Sequence, residues 1–327
     1  MRDLAALPKA HLHVHLESTI RPGTLREMGE ANGVPVPGEP PAFDGFRAFA
    51  DYNTLIRSCL RRPEDFERMA REFCADEAAQ GTRYVEVSFT AASHGKRLGD
   101  REMPLLSVLK GLSEGGAAHD LGWRLVLDHS RRRSVERAER TLDLAVKYAD
   151  EGVLAIGMAG EERHSLAPFA TVFEKAQAAG VHLLHHAGED AGPASIREAL
   201  EIGRTERLGH GIRILEDPSL TAEIRDRGMA LEVCPSSNVT LGLVPSLAEH
   251  PLPRLIEAGL IVTLNTDVPS VTGTTLTDEY TRVRNTFGYP DATLANLARA
   301  SITASFAPPP TKTAILQAID LWLAKDS

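Results

Sequence analysis

The stretch Val181–Glu189, VHLLHHAGE, opens as a short apolar run and closes on two histidines, two small residues and a glutamate. A run of that length reads as a buried strand, Val181–His186, with chemistry-bearing side chains at its C-terminal end. Seven other stretches follow the same design: Ala10–Leu16, Tyr84–Phe89, Arg124–Leu127, Val153–Gly157, Arg207–His210, Ala230–Cys234 and Leu260–Asn265. Between most of them lie segments of helical composition, such as Val135–Glu151 and Leu166–Ala179. Strands alternating with helices imply parallel pairing, because a parallel crossover needs a covering element. Eight such units predict an α/β protein, a (β/α)8 barrel of the TIM type, with a doubly wound open sheet as the alternative. The chain has 327 residues and such a barrel takes roughly 250, so residues 1–327 are expected to form one domain.

The gap between Leu16 and Tyr84 is wider than any other between predicted strands. It holds two helical stretches, Pro22–Asn32 and Phe46–Gly81, around the proline-rich link Val34–Pro41. An insertion after a strand lies at the catalytic face of a barrel, so this one is expected to cover the site. Phe43, Phe46, Phe49 and Tyr52 fit either an apolar lid over a flat ligand or one helix face packed on the barrel.

The chain carries 36 Lys plus Arg against 45 Asp plus Glu, a formal charge of −9. Such a surface repels polyphosphates, which argues against a nucleic-acid partner. No apolar run is long enough to span a membrane, and the N-terminal segment lacks the apolar stretch of a signal peptide. Cys59, Cys74 and Cys234 are odd in number and widely spaced. They read as reduced thiols, and the expected location is the cytoplasm. Oligomeric state is not legible.

Four sites carry chemistry, each at the end of a different predicted strand. The first is His11-Leu12-His13-Val14-His15, whose alternation predicts three imidazoles on one face, able to clasp a divalent ion. The second is His186-Ala187-Gly188-Glu189, where the glutamate can sit beside a metal without ligating it, as a proton carrier. The third is His210, flanked by Gly209 and Gly211, either beside a ligand or in a plain turn. The fourth is Asp267 in Leu264-Asn265-Thr266-Asp267, fit to complete a metal shell, to act as a base, or to cap the next helix. Nitrogen and oxygen donors without cysteine suit Zn2+, with other divalent metals as alternatives.

These motifs together resemble the adenosine and adenine deaminase family of the amidohydrolase superfamily. The resemblance rests on Leu7-Pro8-Lys9 with HLHVHLE, on Tyr84-Val85-Glu86-Val87, and on Gly157–Glu162; HAGE, RLGHGIR, LEVCPSSN and TLNTDVP follow in family order. It implies one Zn2+ per chain, held by His13, His15, His186 and Asp267, with His11 outside the set. It makes Glu189 the proton shuttle and His210 the residue that orients the attacking water and, with Asp267, takes up its proton. It places His15, Glu17, Gly160 and Val268 against a small purine-like substrate, Gly160 through its backbone at a ring nitrogen. The implied reaction is hydrolytic deamination, for which Glu189 must start protonated.

Two positions depart from the family pattern. Val268 stands where most of the family carries a second aspartate that contacts the five-membered ring, and valine offers no hydrogen bond. Glu17-Ser18 stands where the nucleoside enzymes commonly show Asp-Gly. A ring lacking a polar atom there, as in 7-deazapurines, is one expectation; a contact from Ser270 or Thr272 is the other. Competing functions are hydrolysis of a lactone, ester or amide at the same metal, and a non-catalytic binding role on the same barrel. The HxE…PCxxC zinc pattern of nucleic-acid base deaminases is absent, since Cys234-Pro235 is followed by two serines.

Overall fold

The computed structural model describes residues 1–38, 41, 43 and 45–325. Eight parallel strands run in sequence order around a barrel: β1 (Lys9–His11), β2 (Thr82–Phe89), β3 (Gly122–Ser130), β4 (Val153–Ala159), β5 (His182–Ala187), β6 (Arg207–His210), β7 (Ala230–Val233) and β8 (Ile261–Leu264). This is the expected TIM-type architecture, with helices between successive strands. Proline in the first turn opens many of them, including Pro63, Pro193, Pro218 and Pro309. Proline suits that position because the missing N–H would have no helical partner there.

The first strand departs from expectation. Ladder pairing ends at His11, not Leu16, and the common face foreseen for three histidines is broken at Leu12. The cause lies across the seam. Asn265 Oδ1 accepts from the backbone N–H groups of Leu12 at 2.8 Å and His13 at 3.1 Å, so a side chain stands in for the missing strand ladder. Backbone pairing resumes one step later, with Asp267 N donating to His13 O at 3.0 Å and His15 N to Asp267 O at 2.9 Å. His11 turns instead towards the helical layer. Its Nδ1 lies 3.0 Å from Glu77 Oε1, and its Nε2 lies 3.0 Å from Thr266 Oγ1.

The insertion forms α1 (Pro22–Asn32), α2 (Gly45–Cys59) and α3 (Pro63–Ala79). The helix expected from Phe46 onwards is thus two helices. Pro63 divides them, because a proline ring disfavours helical geometry in the residue before it, and Arg62 is extended at φ −109° and ψ 156°. Residues 39 and 40 of the link, residues 42 and 44 just after it, and the Phe46 side chain lie outside what is described. Phe49 and Tyr52 are buried in the main core, and the Phe43 ring meets both, at 6.0 and 5.8 Å. These three aromatics therefore act as one packed face. α2 also reaches the mouth of the barrel, where Ser18 Oγ donates to Asn53 Oδ1 at 3.1 Å.

The barrel interior is part apolar and part ionic. Val126, Ala155 and Leu184 form a small cluster of their own, against which Phe306 packs. Opposite it, Arg207 bridges the barrel, with Nη2 2.5 Å from Glu86 Oε2 and Nε 2.6 Å from Glu232 Oε1. Both contacts are buried. Cys59, Cys74 and Cys234 are buried free thiols, as expected. Among the described residues no helix is long and apolar enough to cross a membrane.

Candidate metal and catalytic site

His13, His186, His210 and Asp267 are all buried at the C-terminal mouth, and each offers a ligand atom within 4.8 Å of the others. His15 joins them, its Nε2 3.3 Å from both His186 Nε2 and Asp267 Oδ1. The residues expected to hold a metal thus converge, and His210 converges with them.

Hydrogen bonds on the far side of each ring define what faces the centre. His13 Nδ1 lies 2.9 Å from Glu232 Oε2 and His186 Nδ1 lies 3.1 Å from Met158 O, so both donate outward. Their Nε2 lone pairs are left pointing inward, which is the arrangement a metal-ligating histidine takes. His13 Nε2 is buried, makes no hydrogen bond among the described residues, and lies 3.7 Å from Asp267 Oδ1. Burial alone lowers the basicity of His13, but Asp267 and Glu232 outweigh it and lift the pKa to about 10. This corner therefore holds a positive charge at neutral pH, as a proton or as the metal ion that replaces it.

Local backbone supports the cluster. His210, the last residue of β6, and Asp267, just past the end of β8, adopt positive φ, 65° and 62°. Non-glycine residues rarely do so, and such conformations gather at functional sites. Gly209 is needed beside them, since a Cβ there would lie 3.0 Å from His13 Cε1 and 3.1 Å from His186 Cα. Ser237 Oγ donates to Asp267 Oδ2 at 2.6 Å and orients that carboxylate. Burial opposes ionisation of Asp267, but the His13 and His15 imidazoles beside it, at 3.7 and 3.3 Å, hold its pKa well below the usual carboxylate range.

Glu189 stands beside the cluster, with Oε1 3.5 Å from His210 Nε2. Burial, then the charges of Asp267, Glu162 and Asp190, push its pKa well above the ordinary glutamate value. Two neighbouring carboxyls are thus shifted in opposite directions, Asp267 towards its ionised form and Glu189 towards its protonated one. Glu162 steadies the loop, its carboxylate accepting backbone N–H bonds from Gly188 and Glu189 at 2.7 Å and Asp190 at 3.2 Å. Arg131 clamps the same region, donating to the carbonyls of His186, Glu162 and His164.

Glu17 is buried on the turn after β1. Its Oε1 accepts from Thr90 and lies 3.2 Å from His94 Nε2, while Oε2 has no partner among the described residues. Gly160 follows β4 at φ 89°, and a Cβ there would come 3.2 Å from Ser130 Oγ. Val268 is buried directly after Asp267. Thr272 Oγ1 is already turned back to the carbonyls of Val268 and Pro269, whereas the buried Ser270 Oγ has no partner among the described residues.

Sequence reading missed the supporting residues Glu86, Glu162, Arg207, Glu232, Ser237, Asn238 and His250, and also Asp128, whose Oδ2 lies 3.7 Å from His15 Nδ1. A signal existed for Glu232, the one charge in the strand ALEV, and for Glu86 and Arg207, charges set beside apolar residues of their strands. A charge placed there must find a buried partner.

Comparison with known proteins identifies the family and matches the fold. The family model for adenosine deaminase matches residues 8–322. A putative adenosine/adenine deaminase from Streptomyces coelicolor is 36% identical, over 99% of this chain and 98% of its own length. An aminodeoxyfutalosine deaminase from the same organism is 34% identical, over 98% of this chain and 86% of its own. The crystal structure of an adenine deaminase from Arthrobacter aurescens superposes with a TM-score of 0.91 at 28% identity, covering 97% of this chain and 99% of that one. The chain belongs to the adenosine deaminase family, and is an aminohydrolase acting on the C–N bond of a cyclic amidine.

Proposed function

We propose that the protein is a zinc-dependent hydrolytic deaminase of adenosine or a related 6-aminopurine nucleoside or base. The observation that carries this reading is the pairing of Glu189, pushed towards its protonated form, with Asp267, held ionised, beside one cluster of inward-facing imidazole lone pairs. Titratable neighbours with opposed shifts mark the acid and the base of a site.

His13, His15, His186 and Asp267 would hold one Zn2+. When bound, that ion supplies Lewis acidity, drawing the pKa of a coordinated water towards about 7. Asp267 takes the proton of the attacking water. Glu189 donates to a ring nitrogen, which makes the amine-bearing carbon electrophilic. The water oxygen bonds to that carbon, the amine takes up the proton that Asp267 had accepted, the C–N bond breaks and ammonia leaves, while the second proton of the former water returns to Glu189 as the carbonyl forms. Glu162 and Arg131 keep the Glu189 loop and the His186 backbone in place, so little reorganisation is needed during the reaction.

The Gly160 backbone and the free Glu17 oxygen are the polar groups offered to the substrate, and Val268 presents an apolar wall. That combination favours a ring without a hydrogen-bonding atom at the Val268 side, or one served there by Ser270. The reading is tested by spectrophotometry of the metal-loaded protein against adenosine, deoxyadenosine, adenine, 7-deazaadenosine and an aminofutalosine. Deamination of at least one is expected; inertness towards all of them would overturn the purine assignment.

A further inference from the structure

The direction of a hydrogen-bond chain behind the site can be read from one backbone group. Leu252 N lies 3.1 Å from His250 Nδ1. A backbone N–H can only donate, so Nδ1 of His250 accepts. Burial lowers the His250 pKa to about 4, so the ring is neutral and carries its proton on Nε2. That nitrogen is 3.2 Å from Asn238 Oδ1 and donates to it. The amide is then oriented, and its Nδ2 faces His210 Nδ1 at 3.3 Å. An amide N–H donates, so His210 Nδ1 must accept. A proton on that nitrogen would set two donors against each other. The proton of His210 therefore sits on Nε2, which is buried, makes no hydrogen bond among the described residues, and looks into the site, 3.5 Å from Glu189 Oε1.

We propose that Asn238 and His250 are positioning residues that fix His210 in its Nε2–H form, making it a hydrogen-bond donor into the site and neither a metal ligand nor a base. His13 and His186 present lone pairs to the same space because each donates outward, to Glu232 and to Met158. His210 alone accepts outward. Five converging groups are thereby sorted into four ligands and one donor, with His15 completing the ligand set. The share in proton uptake expected for His210 from the sequence falls to Asp267. In the deamination reaction the N–H of His210 would be available to the oxygen of the attacking water as it gains charge, where a preorganised donor acts most strongly. The kinetic consequence rests on the deaminase reading; the ring state does not.

Long-range 15N–1H correlation of the full chain, labelled at histidine and freed of metal, reports which ring nitrogen of His210 is protonated. Protonation at Nε2 is expected. In Asn238→Asp the carboxylate can only accept, so His210 should switch to the Nδ1–H form and kcat should fall roughly 10–100-fold with KM little changed. His250→Gln keeps a donor towards Asn238 and should preserve both the ring state and most of kcat; His250→Leu should lose the single ring state. A proton on Nδ1 in the unmodified protein, or an unchanged ring in Asn238→Asp, would overturn the proposal. Should the unmodified protein release no ammonia while His210 keeps its Nε2 proton, the deaminase reading falls and the positioning role stands.

Discussion

Arg207 Nε lies 2.6 Å from Glu232 Oε1, and the other oxygen of that carboxylate receives His13 Nδ1 at 2.9 Å. An imidazole of the candidate metal cluster is thus tied to a buried cation, which is anchored in turn by Glu86 and by the carbonyl of Ala304. The Arg207 side chain also lies over the Phe306 ring, 4.7 Å from its centroid, so the C-terminal segment closes the barrel beneath the site. Fold stability and ligand geometry share these atoms.

Glu232→Gln is therefore expected to weaken metal retention. The amide keeps an oxygen for His13 but turns its N–H groups towards Arg207, setting donor against donor. Loss of such an outer partner costs roughly 10–100-fold in metal affinity. Competition against a chromogenic chelator measures it; affinity equal to that of the unmodified protein would show that Glu232 does not orient His13.

Glu189→Gln should bind metal normally and lose catalysis, by about 100-fold or more. The raised pKa of Glu189 also sets the sign of the pH response. The protonated acid is present below that pKa and disappears as the pH rises through it, so kcat should decline on the alkaline side. Steady-state kinetics across pH check this, and a variant retaining full turnover would remove Glu189 from proton transfer.

Val268→Asp should move substrate preference. An aspartate there adds an acceptor and, when protonated, a donor for the five-membered ring, worth about 1–3 kcal/mol between matched and unmatched rings. The ratio of kcat/KM for adenosine over 7-deazaadenosine is expected to rise by roughly tenfold or more. An unchanged ratio would mean that Val268 does not face that edge.

Glu279 makes a separate, structural prediction. Burial pushes its pKa up to about 7; Oε1 accepts from Ser236 N at 2.9 Å and Oε2 has no partner among the described residues. The folded chain therefore holds this proton more tightly than the unfolded chain, whose glutamate titrates near 4.5. The contribution of Glu279 is greatest below the unfolded value and falls as pH rises through the folded one. Glu279→Gln should gain stability relative to the unmodified protein between pH 5 and 8, by at most about 3 kcal/mol. Denaturant unfolding of both proteins at the two pH values decides it, and a pH-independent difference would refute it.

How much of this was legible depended on range along the chain. β6, Arg207–His210, was read residue for residue, because glycine and histidine punctuate it sharply. HAGE and Asp267 were read at their strand ends for the same reason. β1 was misread because its alternation continues through His15 in the letters, while Asn265, far along the chain, ends its ladder at His11. The alternation also hid that His11 serves the seam with Glu77 and Thr266. Asn238 pairs with a histidine 28 positions before it and another 12 positions after it. No local pattern announces such partners; only closure of the barrel brings them together.

The central claim is that a water-derived oxygen replaces an amino group on a purine-like ring. The most direct measurement couples ammonia release to mass spectrometry of the product formed in 18O-enriched water, using zinc-loaded protein and the same set of aminopurines. The expected result is equimolar ammonia and a product carrying the heavy oxygen at the former amine-bearing carbon, both lost in Glu189→Gln. Ammonia-free mixtures with unlabelled, unchanged purines, in protein shown to hold its metal, would contradict the account.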